Sequence, residues 1–463
     1  MSGIILSLNQ SASHVRIWKM TARPSHSPDF PQDSSDVLRE RLDTITRAYS
    51  RFVPRQFLNL LGIDDIRKVE LGQQVERKMT VLFADIRSFT ALSETMSPQE
   101  NFNFLNSYLI QMEPVIAAHG GFIDKYIGDA IMALFPDSPD QALHCSQAML
   151  QRLEEYNHGR QRAGYRPIRI GIGINTGIVI LGTVGGAQRM DGTVIGDAVN
   201  LAARMERMTK EYRASVLISE YTLYSLDKPE AWAIRFLDRM FVRGKQGTQS
   251  VFEVFNCEPP ALREAKQLHQ KHFDQALAYY HVGDAPGARE QLLTYIAMVP
   301  DDTAAHAYLE RCETANDALG NLRAEPPYFW RDEYAIGPEI VVTALQQLFA
   351  DMNELADAID AGNFGRTQPL LERIQSSASR GFMRERELMD EDDYPFVDLH
   401  ARQHERFFHF LTELRHEIEL GETDRVYLGF RVKRLLTGWL VNHILSADRH
   451  YGHYLNNRQG KRA

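Results

Sequence analysis

MTVLFADI at 79–86 and GGFIDKYIGDAIMALF at 120–135 decide the fold. The first is an unbroken apolar run of strand length, as expected of a strand covered on both faces, and it delivers Asp85 near its end. The second reads as two strand-like runs reversing at Gly128-Asp129, a residue pair suited to a hairpin turn. Outward from these, Pro98 to about Ala118 has helical apolar spacing, and a second helix is expected over about 139–157. IRIGIGINTG (168–177) and VILGTVG (179–185) read as two further strands, and another helix begins near Gly196 and runs to about Met208. Strands alternating with longer amphipathic helices predict an α+β domain over 76–256, with acidic residues in its turns.

The flanks differ. Residues 1–36 are polar and interrupted by Pro24, Pro28 and Pro31, which predicts a flexible N-terminal segment. Leu38, Leu42, Ile45, Tyr49 and Phe52 then recur at 4-3-4-3 spacing before Pro54. Residues 37–75 are therefore expected to hold a helix that either packs on its own domain or forms a dimerisation seam. Pro259-Pro260 opens a segment over 257–321, in which residues 265–302 read as two antiparallel helices joined at Gly283-Asp284. The placement of Ala276, Tyr279, Tyr280, Ala288 and Pro300 resembles one tetratricopeptide-type repeat, a helical connector that must lean on a neighbour and offers a place for a protein partner. Residues 322–463 hold three or four long apolar-periodic stretches, which predicts a four-helix bundle.

The 463 residues allow roughly two to four domains. Lys+Arg 52 against Asp+Glu 61, a net charge of -9, argues against a nucleic-acid binder relying on a basic surface. Cys145, Cys257 and Cys312 are scattered, so neither a disulfide framework nor a cysteine-rich zinc site is expected. With no apolar run of about 20 residues, no membrane insertion and a cytoplasmic location are expected.

Two aspartates brought together by adjacent strand ends suit a pair of Mg²⁺ (or Mn²⁺) ions for phosphoryl chemistry. FADIRSFTALSE (83–94), GGFIDKYIGDAIMALF, GINTG (173–177) and GTVIGDAVNLAARME (192–206) occur in that order. Together they resemble the class III nucleotidyl cyclases. The resemblance implies a ferredoxin-like βαββαβ core, metal binding by Asp85, Ile86 and Asp129, and a transition-state pair in Asn200 and Arg204. It implies that Arg204 supplies a planar cation for charge on the α-phosphate while Asn200 orients the ribose. Backbone N–H groups of Ile86, Arg87, Ser88 and Phe89 would receive phosphate oxygens, and Arg243 in FVRGKQG would bind the triphosphate. Lys125 can donate to adenine N1 and the Thr193 hydroxyl can accept from N6, so the pair points to ATP. In-line attack of the ribose 3′-oxygen on the α-phosphate would expel pyrophosphate, at sites shared across a homodimer.

Of the 16 histidines, His400, His404, His409, His416, His443, His450 and His453 crowd the C-terminal end. His400 and His404 share a helix face, and imidazoles with carboxylates from several helices suit non-haem iron. RERELMDEDDYPFVDLHARQHERFF (384–408) and LLTGWLVNHILSADRHY (435–451) resemble the hemerythrin family of di-iron bundles. That resemblance implies Glu385, His400, His404, His443 and Asp448 as iron ligands. Leu345 and Gly381 stand where two further histidines would be needed. A one-iron or altered metal sensor, a metal-free structural bundle and a full di-iron oxygen sensor all stay open, and the other four histidines are expected to be solvated.

Overall fold

The computed structural model describes residues 33–49, 53–186, 188–241, 248–314 and 330–460. Helix α1 (Asp33–Tyr49) lies in a first compact unit, residues 1–53, and residues 54–463 form a second. On α1 the seam residues Leu42 and Ile45 are 62% and 61% exposed. Phe52, the side chain of Leu38 and residues 1–32 lie outside the described residues.

The second unit starts with α2 (Arg55–Leu60) and a 13-residue strand, β1 (Gln74–Ile86). It continues through α3 (Phe89–Ser93), α4 (Pro98–Ala118), β2 (Phe122–Ile127), β3 (Ala130–Phe135) and α5 (Pro139–Arg162). Next come β4 (Ile170–Gly186), β5 (Arg189–Ile195), α6 (Asp197–Tyr212), β6 (Val216–Ser219), α7 (Glu220–Ser225), β7 (Ile234–Phe241) and β8 (Thr248–Val254). The strands form one mixed sheet in the order β2-β3-β1-β4-β6-β8-β7, with β5 added to β4; only the β4–β6 pair is parallel. Strand β1 is mostly apolar in its second half because both faces are covered. Leu82, Ala84 and Ile86 join Phe104, Tyr108 and Met112 of α4, while Met79, Val81 and Phe83 join Phe57, Val179 and Ala202. A Ser97/Glu100 capping box and Pro98 at the first turn start α4 where expected.

One expectation is corrected. The two strands expected over 168–177 and 179–185 are a single strand, β4, and Gly177 pairs in register with Met79. Gly177 is not a turn residue: a Cβ there would come within 2.9 Å of the Ala198 side chain. Glycine lets α6 lie directly on β4, as does Gly173, whose Cβ would meet the Glu206 backbone nitrogen at 2.0 Å.

After the sheet come α8 (Pro260–Leu268), α9 (Gln270–His281), α10 (Ala285–Met298) and α11 (Thr303–Thr314). They are clamped to the sheet edge by a sealed ionic cluster. Arg235 of β7, fully buried, pairs with Glu253 of β8 at 2.6 Å and with Asp302 at 2.5 Å. Lys266 of α8 pairs with Glu258 at 2.6 Å and Glu253 at 3.3 Å, and the Arg235 guanidinium lies 4.0 Å above the Phe273 ring. The chain then builds α12 (Glu339–Asp360), α13 (Thr367–Glu391), α14 (Val397–Glu419) and α15 (Arg425–Lys433). From α15 the last rod runs on through two π-helical stretches, Arg434–Val441 and Ile444–Asp448, into α16 (Arg449–Gly460). One continuous apolar core joins the sheet, the connecting helices and this helical region. Among the described residues no helix is long and apolar enough to cross a membrane.

Candidate active site

Strand β1 pairs with β3 on one side, and this places the end of β1 beside the β2–β3 turn. Asp85 and Asp129 meet there: the Ile86 N–H donates to Asp129 Oδ2 at 3.2 Å. Burial, then the hydrogen bond to and the charge of Asp85, push the Asp129 carboxyl up to about 7. Neighbouring carboxylates resist joint ionisation, and a nearby cation relieves that repulsion.

Two groups absent from the sequence reading belong to this corner. Lys210 Nζ donates to Asp85 Oδ2 at 2.8 Å, and Glu206, one turn earlier on α6, is pushed up to about 7 by burial and then by Asp85. Their i,i+4 spacing marked a paired helix face, but nothing local to α6 pointed to a strand end 125 residues away.

The loop after Asp85 is narrower than expected as a phosphate cradle. The Ile86 N–H is spent on Asp129 and the Arg87 N–H on the Arg169 carbonyl, because the ladder continues past the strand end. The Arg87 guanidinium turns away to the Ala214 carbonyl at 2.5 Å. Both N–H groups are thus bonded within the protein in this structure. Ser88, at φ 57 in the left-handed region, and Phe89 start α3 and keep their N–H groups at a helix beginning.

Lys125 of β2 and Thr193 of β5 come together, with Lys125 Nζ donating to Thr193 Oγ1 at 3.1 Å. A second bond ties Lys125 to Asp124 at 3.3 Å. Asn200 is exposed and Arg204 half-buried on α6. Among the described residues no hydrogen bond or ion pair joins either one to Asp85 or Asp129. Arg243 lies outside the described residues.

The C-terminal histidines form a separate, sealed constellation. His400 and His404 project from α14, Glu385 from α13, and His443 and Asp448 from the π-helical end of the last rod. His443 Nε2 lies 3.0 Å from both His400 Nε2 and His404 Nε2. Glu385 Oε2 is 3.4 and 3.3 Å from the latter two, and Asp448 Oδ1 is 3.1 Å from His443. Glu385, His400, His443 and Asp448 are at most 3% exposed and His404 is 6%.

Burial favours the neutral forms, but His400 and His404 overcome it and hold the Glu385 carboxyl well below the usual range. Burial pushes the His404 ring down to about 3. Both Asp448 oxygens and His400 Nδ1 are buried without a hydrogen bond. Inward-facing Nε2 atoms and orphaned carboxylate oxygens fit a cation. Gln403, missed in the sequence although it sits between His400 and His404, orients His443 through Nδ1 at 2.9 Å. Phe382 and Trp439 stack on His404 and His443.

The two missing histidine positions are packing positions. Leu345 is core, and a Cβ on Gly381 would touch Ala344 at 3.2 Å, where α13 lies close on α12. His409, His416 and His453 are exposed as expected. His450 is corrected: it is tied to Tyr394 Oη and Glu76, each at 2.6 Å.

Residues 71–254 match the family described as the Adenylate and Guanylate cyclase catalytic domain. The adenylate cyclase of Anabaena cylindrica is 45% identical over 48% of this chain and 45% of its own length. The terminal-differentiation adenylate cyclase of Dictyostelium discoideum is 34% identical over 61% of this chain and 14% of its own. The chain thus spans less than half the length of these curated relatives. The solved adenylyl cyclase CyaB from P. aeruginosa is 31% identical over 39% of this chain and 95% of that one, with a TM-score of 0.35. The match over 71–254, the region that holds the paired aspartates and the hairpin joining them, makes this part of the chain similar to adenylate and guanylate cyclase catalytic domains.

Proposed function

We propose that the protein is an adenylate cyclase converting ATP to 3′,5′-cyclic AMP and pyrophosphate, regulated by a metal held in its C-terminal histidine cluster. The observation that carries the catalytic reading is the union of Asp85 and Asp129 at one strand end, with Lys125 bonded to Thr193. Asp85, Asp129 and the Ile86 carbonyl would hold two Mg²⁺ or Mn²⁺ ions, which when bound polarise the attacking hydroxyl and screen the triphosphate. Lys125 and Thr193 read the adenine edge, and Ser88 and Phe89 offer N–H groups to phosphate oxygens. Arg204 spreads its planar charge against the α-phosphate as the 3′-oxygen bond forms and the bond to pyrophosphate breaks, while Asn200 fixes the ribose. Arg243 is assigned to the triphosphate.

Among the described residues Asn200 and Arg204 have no link to the aspartates of their own chain, which supports a homodimer in which each site draws on both copies. The exposed Leu42/Ile45 face of α1 supports a dimer seam over 37–75. Co-expression of Asp85→Ala with Arg204→Ala tests the arrangement. Each variant alone is inactive, whereas mixed dimers hold one intact site and restore up to about a quarter of wild-type turnover. No rescue rules out the shared site, and faster turnover of GTP than ATP rules out the adenylate assignment.

For the tail, Glu385, His400, His404, His443 and Asp448 would hold one ion, non-haem iron by donor type, in a hemerythrin-like four-helix bundle over 322–463. The tetratricopeptide-like segment 257–321 joins the two. Metal content of the purified protein, measured beside ATP turnover with and without that metal, tests this reading; turnover indifferent to metal occupancy rejects the regulatory role.

A further inference from the structure

The last rod shows two faces at one point. His443 enters the histidine cluster, and consecutive helical residues diverge by about 100°, so Asn442 faces elsewhere. Its Nδ2 donates to Glu220 Oε2 at 2.9 Å across 222 residues of sequence, with both groups buried. Glu220 also accepts from Tyr224 Oη at 2.5 Å. The rod backbone itself is pressed against this carboxylate: a Cβ on Gly438 would meet Ser250 Oγ at 2.9 Å and Glu220 Oε1 at 3.3 Å.

Glu220 opens α7, and the preceding residue, Ser219, caps that helix while donating to Asn175 Oδ1 at 2.5 Å. Asn175 of β4 then donates through Nδ2 to the Ala198 carbonyl at 2.9 Å. Ala198 lies in the first turn of α6, two residues before Asn200 and six before Arg204. Every member of this path is buried, from 0% exposure at Ser219 to 8% at Ala198. An amide and a carboxylate desolvated this deeply are costly unless their bonds hold. The π-helical stretches on either side of Asn442 and His443 are a rare backbone form that recurs at functional sites.

We propose that Asn442, Glu220, Ser219 and Asn175 are positioning residues that couple the histidine cluster to the helix carrying Asn200 and Arg204. A ligand that fixes His443 fixes Asn442, and the bonded path sets how firmly the first turn of α6 is held. The regulatory direction of this coupling rests on the metal-sensing reading above; the mechanical link does not.

The test uses the full-length protein and two variants that cut the path at different points, Asn442→Ala and Ser219→Ala. Amide hydrogen exchange over 197–204 rises at least about fivefold in both, since local opening no longer breaks a bonded network. Turnover falls several-fold with KM for ATP within about twofold, the mark of transition-state positioning rather than substrate binding. Ser219→Thr, which keeps the hydroxyl, restores exchange and turnover, and His409→Ala on the exposed face of α14 changes neither. Unchanged exchange at 197–204 in both cutting variants overturns the proposal. Raised exchange in a protein whose wild-type turnover ignores tail metal upholds the link and removes only the metal-sensing reading.

Discussion

Asp85 with Asp129 and Glu385 with Asp448 are two pairs of carboxylates in one chain, and their surroundings set them apart. The first pair sits at an open strand end, with the Asp85 side chain 18% exposed and Lys210 against it. Its members are near enough to resist joint ionisation, and Asp129 is pushed up to about 7. The second pair is sealed at 2% exposure among three imidazoles, and Glu385 is driven the other way. An open pair trades its cation with solvent and substrate; a sealed pair keeps what it binds. Chemistry that must turn over belongs in the first setting, and a resident ion in the second.

The largest effect that would sharpen this contrast is at the open site. Asp85→Asn keeps shape and fold, so the melting temperature moves by less than about 2 °C, while turnover drops by roughly two to three orders of magnitude. A variant that retained turnover would remove Asp85 from the metal site.

At the sealed site the order is reversed, with stability responding more than turnover. Loading wild-type protein with Fe²⁺ at about 100-fold above its dissociation constant raises stability by about 2.7 kcal/mol, read by calorimetry. Glu385→Gln, with one carboxylate oxygen gone, loses most of that rise. An undiminished rise would show that the ion binds elsewhere.

The smallest effect concerns burial without any metal. Asp238 is buried among Tyr212, Tyr308, Arg239, Arg311 and His281, and burial pushes its carboxyl up to about 6. Its folded form therefore binds a proton more tightly than the unfolded chain does. Its contribution is full below about pH 4 and fades as pH rises through 6. Wild type should lose on the order of 1–2 kcal/mol relative to Asp238→Asn between pH 4 and 7, measured by denaturant melts. A flat difference would mean that its bond from Tyr212 and the nearby arginine offset burial entirely.

What was legible in the sequence was local. The apolar run of β1, the Gly128-Asp129 reversal and the Ser97-Pro98 start of α4 each follow from neighbours in the chain, and the structure has them. Lys125 and Thr193 were assigned a shared task from a resemblance, and the fold brings them to 3.1 Å. What was not legible depends on distant partners. Gly177 looks like a turn until α6 is laid across it, and Lys210 looks solvated until the end of β1 reaches it. Asn442 and Glu220, both ordinary in their own segments, meet only because a helix folds back over the sheet.

The sealed cluster of Arg235, Glu253, Lys266 and Asp302 bears on where this protein can be cut. The catalytic family ends at residue 254, which invites expression of that piece alone. Such a fragment would keep Arg235 and Glu253 but lose Lys266, Asp302 and the Phe273 ring that cover them. The apolar sheet edge that helices α8 to α11 cover, with Phe236 and Phe252 on it, would then face water. A fragment ending after α11, some 60 residues past the end of the matched region, should therefore express in soluble form where one ending at 254 does not.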